Sequence, residues 1–326
     1  MTEFIPSLFY EQVAKDFLDL KYQKYKDGNI SYGTYNKYKR AVSMYILPNV
    51  ENKRITSITE MDCRKFNEKL SDIGFSSVYK NFVLNTYKNI FKHAMRYFKL
   101  KNNPSNLLEP YKKTFEEKMK AKERENSIWT AEEFNKFIVM VDDPVYRLFF
   151  CVLFNSGCRI GELLCAKWGD YSGGLLQITK SVTKDTEAYA YQIKETKNVS
   201  SIRDIGLGEN LSNLLDEFKE KEKKVVGFNE DWFIFGRTRP LPRTTIDRIK
   251  DKAIKKAGVK RIRIHDFRHS HASNLIAGGV NIVAVSRRLG HESINTTMRI
   301  YAHKLTQSEN ELIDFVDKSS QKLLKQ

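Results

Sequence analysis

The stretch LGHESINTTMRIYAHK, residues 289–304, ends a helix-like apolar run at Leu289-Gly290 and sets Tyr301 ten residues after His291. A tyrosine there has two readings. It packs, and its phenol tip needs a hydrogen-bond partner. Or it is a nucleophile. The stretch alone does not choose. A nucleophilic tyrosine needs partners, and the other residues must supply them.

The chain has 326 residues, enough for two domains with cores of their own. Lys+Arg is 56 against Asp+Glu 40, a net charge of +16 spread along the chain. A broad basic excess fits a polyanionic partner, most simply nucleic acid, and equally fits a protein with many solvated lysines. Cys63, Cys151, Cys158 and Cys165 form no CxxC pair and read as free thiols of a reducing compartment. The opening MTEFIPSLFYEQ lacks the basic start and apolar run of a signal peptide. No apolar stretch reaches the ~20 residues a membrane span needs. A soluble cytoplasmic protein with no membrane partner is expected.

Residues 7–100 read as four helices. Phe9, Val13, Phe17 and Leu20 recur at helical spacing, as do Tyr35, Tyr38, Val42 and Tyr45, with Pro48 closing the second helix. Thr59 is placed to cap the third, and Val78 to Phe98 makes a long fourth. Lysines and tyrosines interleave along this part. Thr34, Lys37, Arg40 and Lys80 are the candidate phosphate contacts, each also readable as an ordinary rim residue. The domains are expected at 1–105 and 128–326, joined by a charged connector over 106–127. In the second domain, Thr130 and Glu133 form a capping box and Pro144 opens a helix that stops near Ser156-Gly157. Three β-like runs, LLQIT (175–179), AYAYQI (188–193) and SIRDIGL (201–207), predict a small antiparallel sheet. Helices are expected again at 209–224, 244–257, 266–277, 281–289 and near 295–302. The fold class is therefore mainly α: a helical domain, then a mostly helical α+β domain with a three-stranded sheet.

No GxxxxGK[ST] loop, HExxH motif or two-metal carboxylate cluster occurs. His265, His269 and His271 in HDFRHSH lack the fourth ligand and regular spacing of a zinc site, so no metal and no cofactor is expected. FNSGCRIGELLCAKW (154–168) puts Arg159 at a helix start with Glu162 three residues on, within reach across one turn. HDFRHSHAS (265–273) puts His265 and Arg268 on one face of a helix start. Lys197 lies in ETKNVSSIRDIGL (195–207), between two expected strands. Each feature alone has a bland reading: an ion pair, a helix face, a solvated turn lysine.

Taken in order, Arg159, Lys197, His265, Arg268, His291 and Tyr301 resemble the tyrosine recombinase, or phage integrase, family. Its pattern is Arg, a β-hairpin Lys, HxxR, then His or Trp, then Tyr. The flanks SGCRIGELL, HDFRHSHAS and LGHESINTTMRIYAH match as well, and residues 7–100 resemble the family's SAM-like core-binding domain. The resemblance implies a site-specific DNA recombinase working through a 3′-phosphotyrosyl intermediate, with a prophage or integrative element as the favoured context and a stand-alone resolvase as the other. It implies Arg159 and Arg268 as the phosphate clamp, His265 and His291 as further donors, Lys197 as general acid, and Glu162 orienting Arg159. Lys194, three residues before Lys197, is the other candidate acid. The implied partners are double-stranded attachment or core sites, a homotetramer on synapsed DNA from a monomer or weak oligomer, and accessory directionality or DNA-bending proteins. The core-binding pattern opens near residue 7, so no arm-binding domain is expected ahead of it.

The residue types suit such chemistry. A phenoxide attacks phosphorus and also leaves well, because the phenol pKa of about 10 lies far below that of an alcohol. Arginine stays charged, and its planar fork matches two phosphate oxygens. Arg237, Arg239 and Arg243 in FGRTRPLPRTT add candidate backbone-phosphate contacts. Two competing readings are a non-catalytic DNA-binding protein that kept the fold and a type IB topoisomerase-like relaxing enzyme. The filled residue set argues against the first, and the core-binding domain with the LGH…Y flanks against the second.

Overall fold

The computed structural model describes residues 8–50, 52–125, 127–185, 190–195 and 199–301 of the chain. It divides into two compact units within one helix, between Lys122 and Glu123. The first unit holds α1 (Tyr10–Lys26), α2 (Tyr32–Arg40), α3 (Leu47–Val50), α4 (Glu60–Asp72) and α5 (Ser77–Tyr97), followed by α6 (Phe115–Glu125), in which the division falls. Its core is one cluster: Tyr10, Val13 and Phe17 from α1, Phe66 and Leu70 from α4, and Val83, Tyr87 and Phe91 from α5. Thr59 caps α4 as its sequence indicates, its hydroxyl taking the Asp62 N–H at 3.2 Å while the Asp62 carboxylate takes the Thr59 N–H at 2.9 Å.

Pro48 does not close its helix. Beyond α2 the chain widens into a π-helical segment, Ala41–Ile46, and continues as α3 with Pro48 inside it. Leu47 N–H reaches back five residues to the Val42 carbonyl. That wider turn just before the proline relieves the ring's clash with the preceding turn, the usual reason a proline ends a helix. Of the candidate phosphate contacts, Lys37 and Arg40 are exposed. The Thr34 hydroxyl lies 2.9 Å from Ser31 Oγ at the α2 cap. Lys80 donates to the Ser71 carbonyl at 2.5 Å and lies over the Tyr111 ring.

The second unit opens with α7 (Ala131–Ile138), α8 (Pro144–Ser156) and α9 (Ile160–Cys165). Thr130 and Glu133 cap α7 reciprocally, and Asp143 caps α8 with Pro144 in its first turn. Next come β1 (Tyr171–Ser172), β2 (Leu175–Ile178), β3 (Lys180–Asp185), β4 (Ala190–Glu195) and β5 (Arg203–Gly206). The chain then returns to helix: α10 (Glu209–Lys223), α11 (Arg243–Ala257), α12 (Asp266–Ala277), α13 (Ile282–Leu289) and α14 (Ile294–Tyr301).

The three-stranded antiparallel sheet is present, in the order β1-β2-β5, but its membership differs from the sequence reading. The run around 190–193 pairs instead with β3 in a separate two-stranded sheet. Leu176, Ile178 and Ile205 point into the core and qualify β2 and β5 for the sheet. β1 is only two residues long, and β3, KSVTKD, is largely polar; neither shows the apolar alternation by which a half-buried strand is read. Phe267, buried between Trp129, Phe137 and Phe150, anchors the start of α12 in the core. The four cysteines are free, and no described helix is long and apolar enough to cross a membrane.

Candidate active site

The site is built where three chain reversals meet. α8 stops at Gly157, whose φ of 66° suits a residue without a side chain. A Cβ there would lie 2.4 Å from the His271 ring, so glycine is also required for space. The Gly157 carbonyl accepts from Arg268 Nη1 at 3.0 Å. Two residues later Arg159 caps α9. Glu162 takes the Arg159 backbone N–H at 2.8 Å and its Nη1 at 2.7 Å. Arg159 Nη2 lies 3.5 Å from the Gly290 carbonyl, at the left-handed end of α13.

Glu162 is 2% exposed and serves two arginines. Arg203, on β5, donates Nη2 to its Oε2 at 2.8 Å, Nη1 to its Oε1 at 3.4 Å, and Nε to the Arg288 carbonyl at 2.7 Å. Burial works to raise the Glu162 carboxyl, but Arg203 and Arg159 outweigh it and hold the group below its ordinary range. Arg268 is 3% exposed, and among the described residues its Nη2 has no hydrogen-bond partner. Burial, then the nearby Arg159 charge, push its guanidinium down to about 10, so it remains charged near neutrality. Among the described residues, Arg159, Arg203 and Arg268 lie around the one carboxylate of Glu162, an excess of positive charge complementary to a phosphate and to the further charge its transition state develops.

Histidines rim the arginines. His265 caps α12, still reaches solvent, and meets His269 edge-on at 4.9 Å between ring centres. Burial, then His269 and Arg268, lower it to about 4. His291 follows Gly290, and its Nδ1 lies 2.7 Å from the buried Thr297 hydroxyl. Burial, then Arg268 and Arg159, lower it to about 4 as well. Both rings are therefore neutral near pH 7 while the site is bare. His271 is structural: its Nε2 accepts from Arg288 Nε at 3.0 Å, and Arg288 also ties the Asn155 and Gly206 carbonyls.

The structure thus brings Arg159, Glu162, Arg268, His265 and His291 together. Tyr301 ends α14, and its side chain lies outside the described residues, as does Lys197; Lys194 is on β4 with its side chain likewise undescribed. Arg237 forks onto Glu222 at 2.8 and 3.1 Å, so its guanidinium is already engaged. Arg239 is exposed. Arg243 pairs with Asp247 at 3.2 Å and lines a cleft of about 590 Å³ with His265, Lys250, Arg261 and Arg263. Sequence reasoning missed Arg203, Arg288 and Thr297. Arg203 and Arg288 act on groups far away in the chain, and Thr297 lies inside α14 while His291 precedes that helix, so no helical period links the two.

A helical unit followed by a helical domain with a small sheet, carrying clustered arginines and histidines, is the layout of the tyrosine recombinases. The profile described as "Phage integrase family" matches residues 128–308, and that of the "Phage integrase, N-terminal SAM-like domain" matches residues 15–71. The chain is 30% identical to the ICEBs1 integrase of Bacillus subtilis (strain 168) over 295 residues, 87% of this chain and 77% of that one. It is 27% identical to a tyrosine recombinase XerC-like protein of Caldanaerobacter subterraneus over 308 residues, 86% of this chain and 75% of that one. In fold it is similar to the Tn1549 transposon integrase in complex with a circular intermediate DNA: TM-score 0.72 at 20% identity, covering 95% of this chain and 100% of that one. A lambda integrase dimer bound to a COC′ core site superposes with TM-score 0.64 at 18% identity, over 90% of this chain and 77% of that one. The protein belongs to the phage integrase family and is a site-specific recombinase of the tyrosine class.

Proposed function

We propose that the protein is the integrase of a prophage or integrative element, cleaving and rejoining DNA through a phosphotyrosyl intermediate at Tyr301. The Tyr301 oxygen forms the new bond to phosphorus, the bond from phosphorus to the 5′-oxygen breaks, and the DNA is left joined to the protein through its 3′-phosphate. The phenol proton passes to a neighbouring base, for which His265 and His291 are the candidates. Lys197 protonates the departing 5′-oxygen, with Lys194 as the alternative. Rejoining reverses each transfer.

The observation that carries this reading is Arg268. A buried guanidinium nitrogen without a partner among the described residues, beside Arg159, is a donor awaiting an acceptor. A phosphate oxygen supplies that acceptor. An anion arriving there also relieves the repulsion that lowers His265 and His291, and so raises their capacity to take a proton.

Residues 1–105 act as the core-type DNA-binding module, 106–127 as its connector and 128–326 as the catalytic module with its tail. Lys37 and Arg40 contact the DNA backbone from α2, and Arg243 does so from α11. The substrate is double-stranded DNA bearing attachment or core sites, met in the bacterial cytoplasm. Strand exchange takes place in a homotetramer, a stoichiometry supported by the lambda integrase tetramer bound to a Holliday junction, which shares this fold with a TM-score of 0.62.

The test is a nicked suicide substrate carrying a candidate attachment site. The intact protein is expected to form a 3′-linked adduct that survives SDS and is lost in Tyr301→Phe. An adduct that persists in Tyr301→Phe overturns the nucleophile assignment. Binding of a verified site with no cleavage by the intact protein favours the non-catalytic reading.

A further inference from the structure

Thr297 lies on α14, one helical turn before Tyr301, and its side chain is wholly buried. Its hydroxyl lies 2.7 Å from His291 Nδ1, and that contact is its hydrogen bond among the described residues. A buried hydroxyl needs a partner, but the choice of partner here is consequential. The helix that ends in Tyr301 is fastened by this one side chain to a histidine of the arginine cluster.

The direction of this hydrogen bond follows from the chemistry of the site. A neutral imidazole carries one N–H and one lone pair. In the free protein burial, then the charges of Arg268 and Arg159, keep His291 neutral near pH 7. Non-bridging phosphate oxygens only accept. A neutral His291 therefore serves a phosphate only if the ring nitrogen turned to it carries the hydrogen. Nδ1 is taken by Thr297, so the hydrogen belongs on Nε2, and Nδ1 must accept. A hydroxyl can donate to it. A methyl group in the same space cannot.

We propose that Thr297 is a positioning residue of the strand-cleavage reaction: by donating to His291 Nδ1 it fixes the tautomer that presents Nε2–H to the scissile phosphate, and it latches the tyrosine-bearing helix to that histidine. This rests on the reading of Tyr301 as nucleophile, and of the two candidate bases it leaves the phenol proton to His265, because a His291 ring with Nε2–H on the phosphate and Nδ1 held by Thr297 has no lone pair free. It goes beyond that reading because it gives a role to a buried residue that acts through His291.

The test compares Thr297→Val, which keeps shape and loses the donor, with Thr297→Ser, which keeps the donor. Single-turnover cleavage of a suicide substrate is expected to fall about 10–100-fold in Thr297→Val, somewhat less than the ~10²–10³ for losing a transition-state donor itself. Thr297→Ser is expected within about threefold of the parent. In a His291→Ala background, Thr297→Val should cost nothing further, because it acts through the missing ring. Nitrogen NMR of the free protein, with the His291 signals assigned by their loss in His291→Gln, reports the tautomer directly. Nε2–H is expected in the parent and in Thr297→Ser, with a shift toward Nδ1–H in Thr297→Val. Three results overturn the proposal: Nδ1–H in the parent, parental cleavage by a folded Thr297→Val protein, or an undiminished Thr297→Val defect in the His291→Ala background. None of these touches the nucleophile assignment, which fails separately if Tyr301→Phe still forms the adduct.

Discussion

Replacing Arg203 by Met tests whether Arg159, proposed as half of a phosphate clamp, is held from behind. The Arg203 side chain is 7% exposed and that of Glu162 is 1% exposed, so their pairing at 2.8 Å is shielded from water. Arg203 also ties the Arg288 and Ser201 carbonyls at 2.7 and 2.9 Å. Breaking a buried pair from one side typically costs ~3–5 kcal/mol. Glu162 keeps Arg159, whose side chain is 38% exposed, so the lower end applies here, about 3 kcal/mol. In a unit of this size that lowers Tm by roughly 6–12 °C. Cleavage should fall further than stability explains, by about 10–100-fold at a temperature where the variant is fully folded, because Glu162 no longer holds Arg159 against a fixed partner. The assays are urea unfolding and single-turnover cleavage. The double variant Arg203→Met/Glu162→Gln removes both ends of the pair. It should be more stable than the sum of the single effects by ~1–3 kcal/mol, yet no faster in cleavage. A loss below about 1 kcal/mol together with parental cleavage by Arg203→Met would refute the reasoning.

Three further outcomes can be measured separately. A Cβ at Gly161 would lie 2.7 Å from Ser181 Oγ and 2.8 Å from the Val182 carbonyl, so Gly161→Ala must push β3 off the start of α9. It is expected to cost ~1–3 kcal/mol in urea unfolding, and parental stability would show that β3 is not seated there. His271 is 7% exposed and lowered to about 3 by burial first and Arg288 next, against an ordinary value near 6.5. The unfolded chain binds a proton between those values that the folded chain refuses. Stability is therefore complete above about pH 6.5 and declines as pH falls toward 3, by at most roughly 4–5 kcal/mol from this group. His271→Gln should flatten the decline measured between pH 7 and 4.5, and an unchanged slope would contradict the assignment. Lys197→Ala should slow cleavage of an ordinary phosphodiester and much less so a substrate whose 5′-bridging oxygen is replaced by sulfur, since a thiolate leaves without an acid. If Lys194→Ala shows that pattern instead, the general acid is Lys194.

Much of this was legible because local rules and the final fold agree. Thr59, Thr130, Pro144 and Gly157 each mark a helix end by a chemistry that acts within four residues, and the structure uses all four. Arg159 and Glu162 were readable for the same reason, three apart on one helical turn. The limits lie where a contact closes a long loop. Arg203 meets Glu162 41 residues away and the Arg288 carbonyl 85 away, and nothing in SIRDIGL distinguishes that arginine from an ordinary strand residue. β3 was missed because a largely polar hairpin shows no apolar face. The helix was expected to stop at Pro48, but a single π turn absorbs the strain. The candidate DNA contacts divide by a property that charge alone does not reveal. Lys37 and Arg40 stand exposed, while Arg237 is occupied by Glu222, a carboxylate 15 residues earlier.

The central claim is that Tyr301 is the residue that takes the DNA. The most direct measurement isolates the covalent complex formed on a suicide substrate, digests the protein and trims the DNA, and maps the retained 3′-nucleotide by mass spectrometry. The nucleotide is expected on the peptide containing Tyr301, on that phenol oxygen. The chain has 16 tyrosines. Recovery of the nucleotide on any other of them, or on a serine, threonine or histidine, would contradict it.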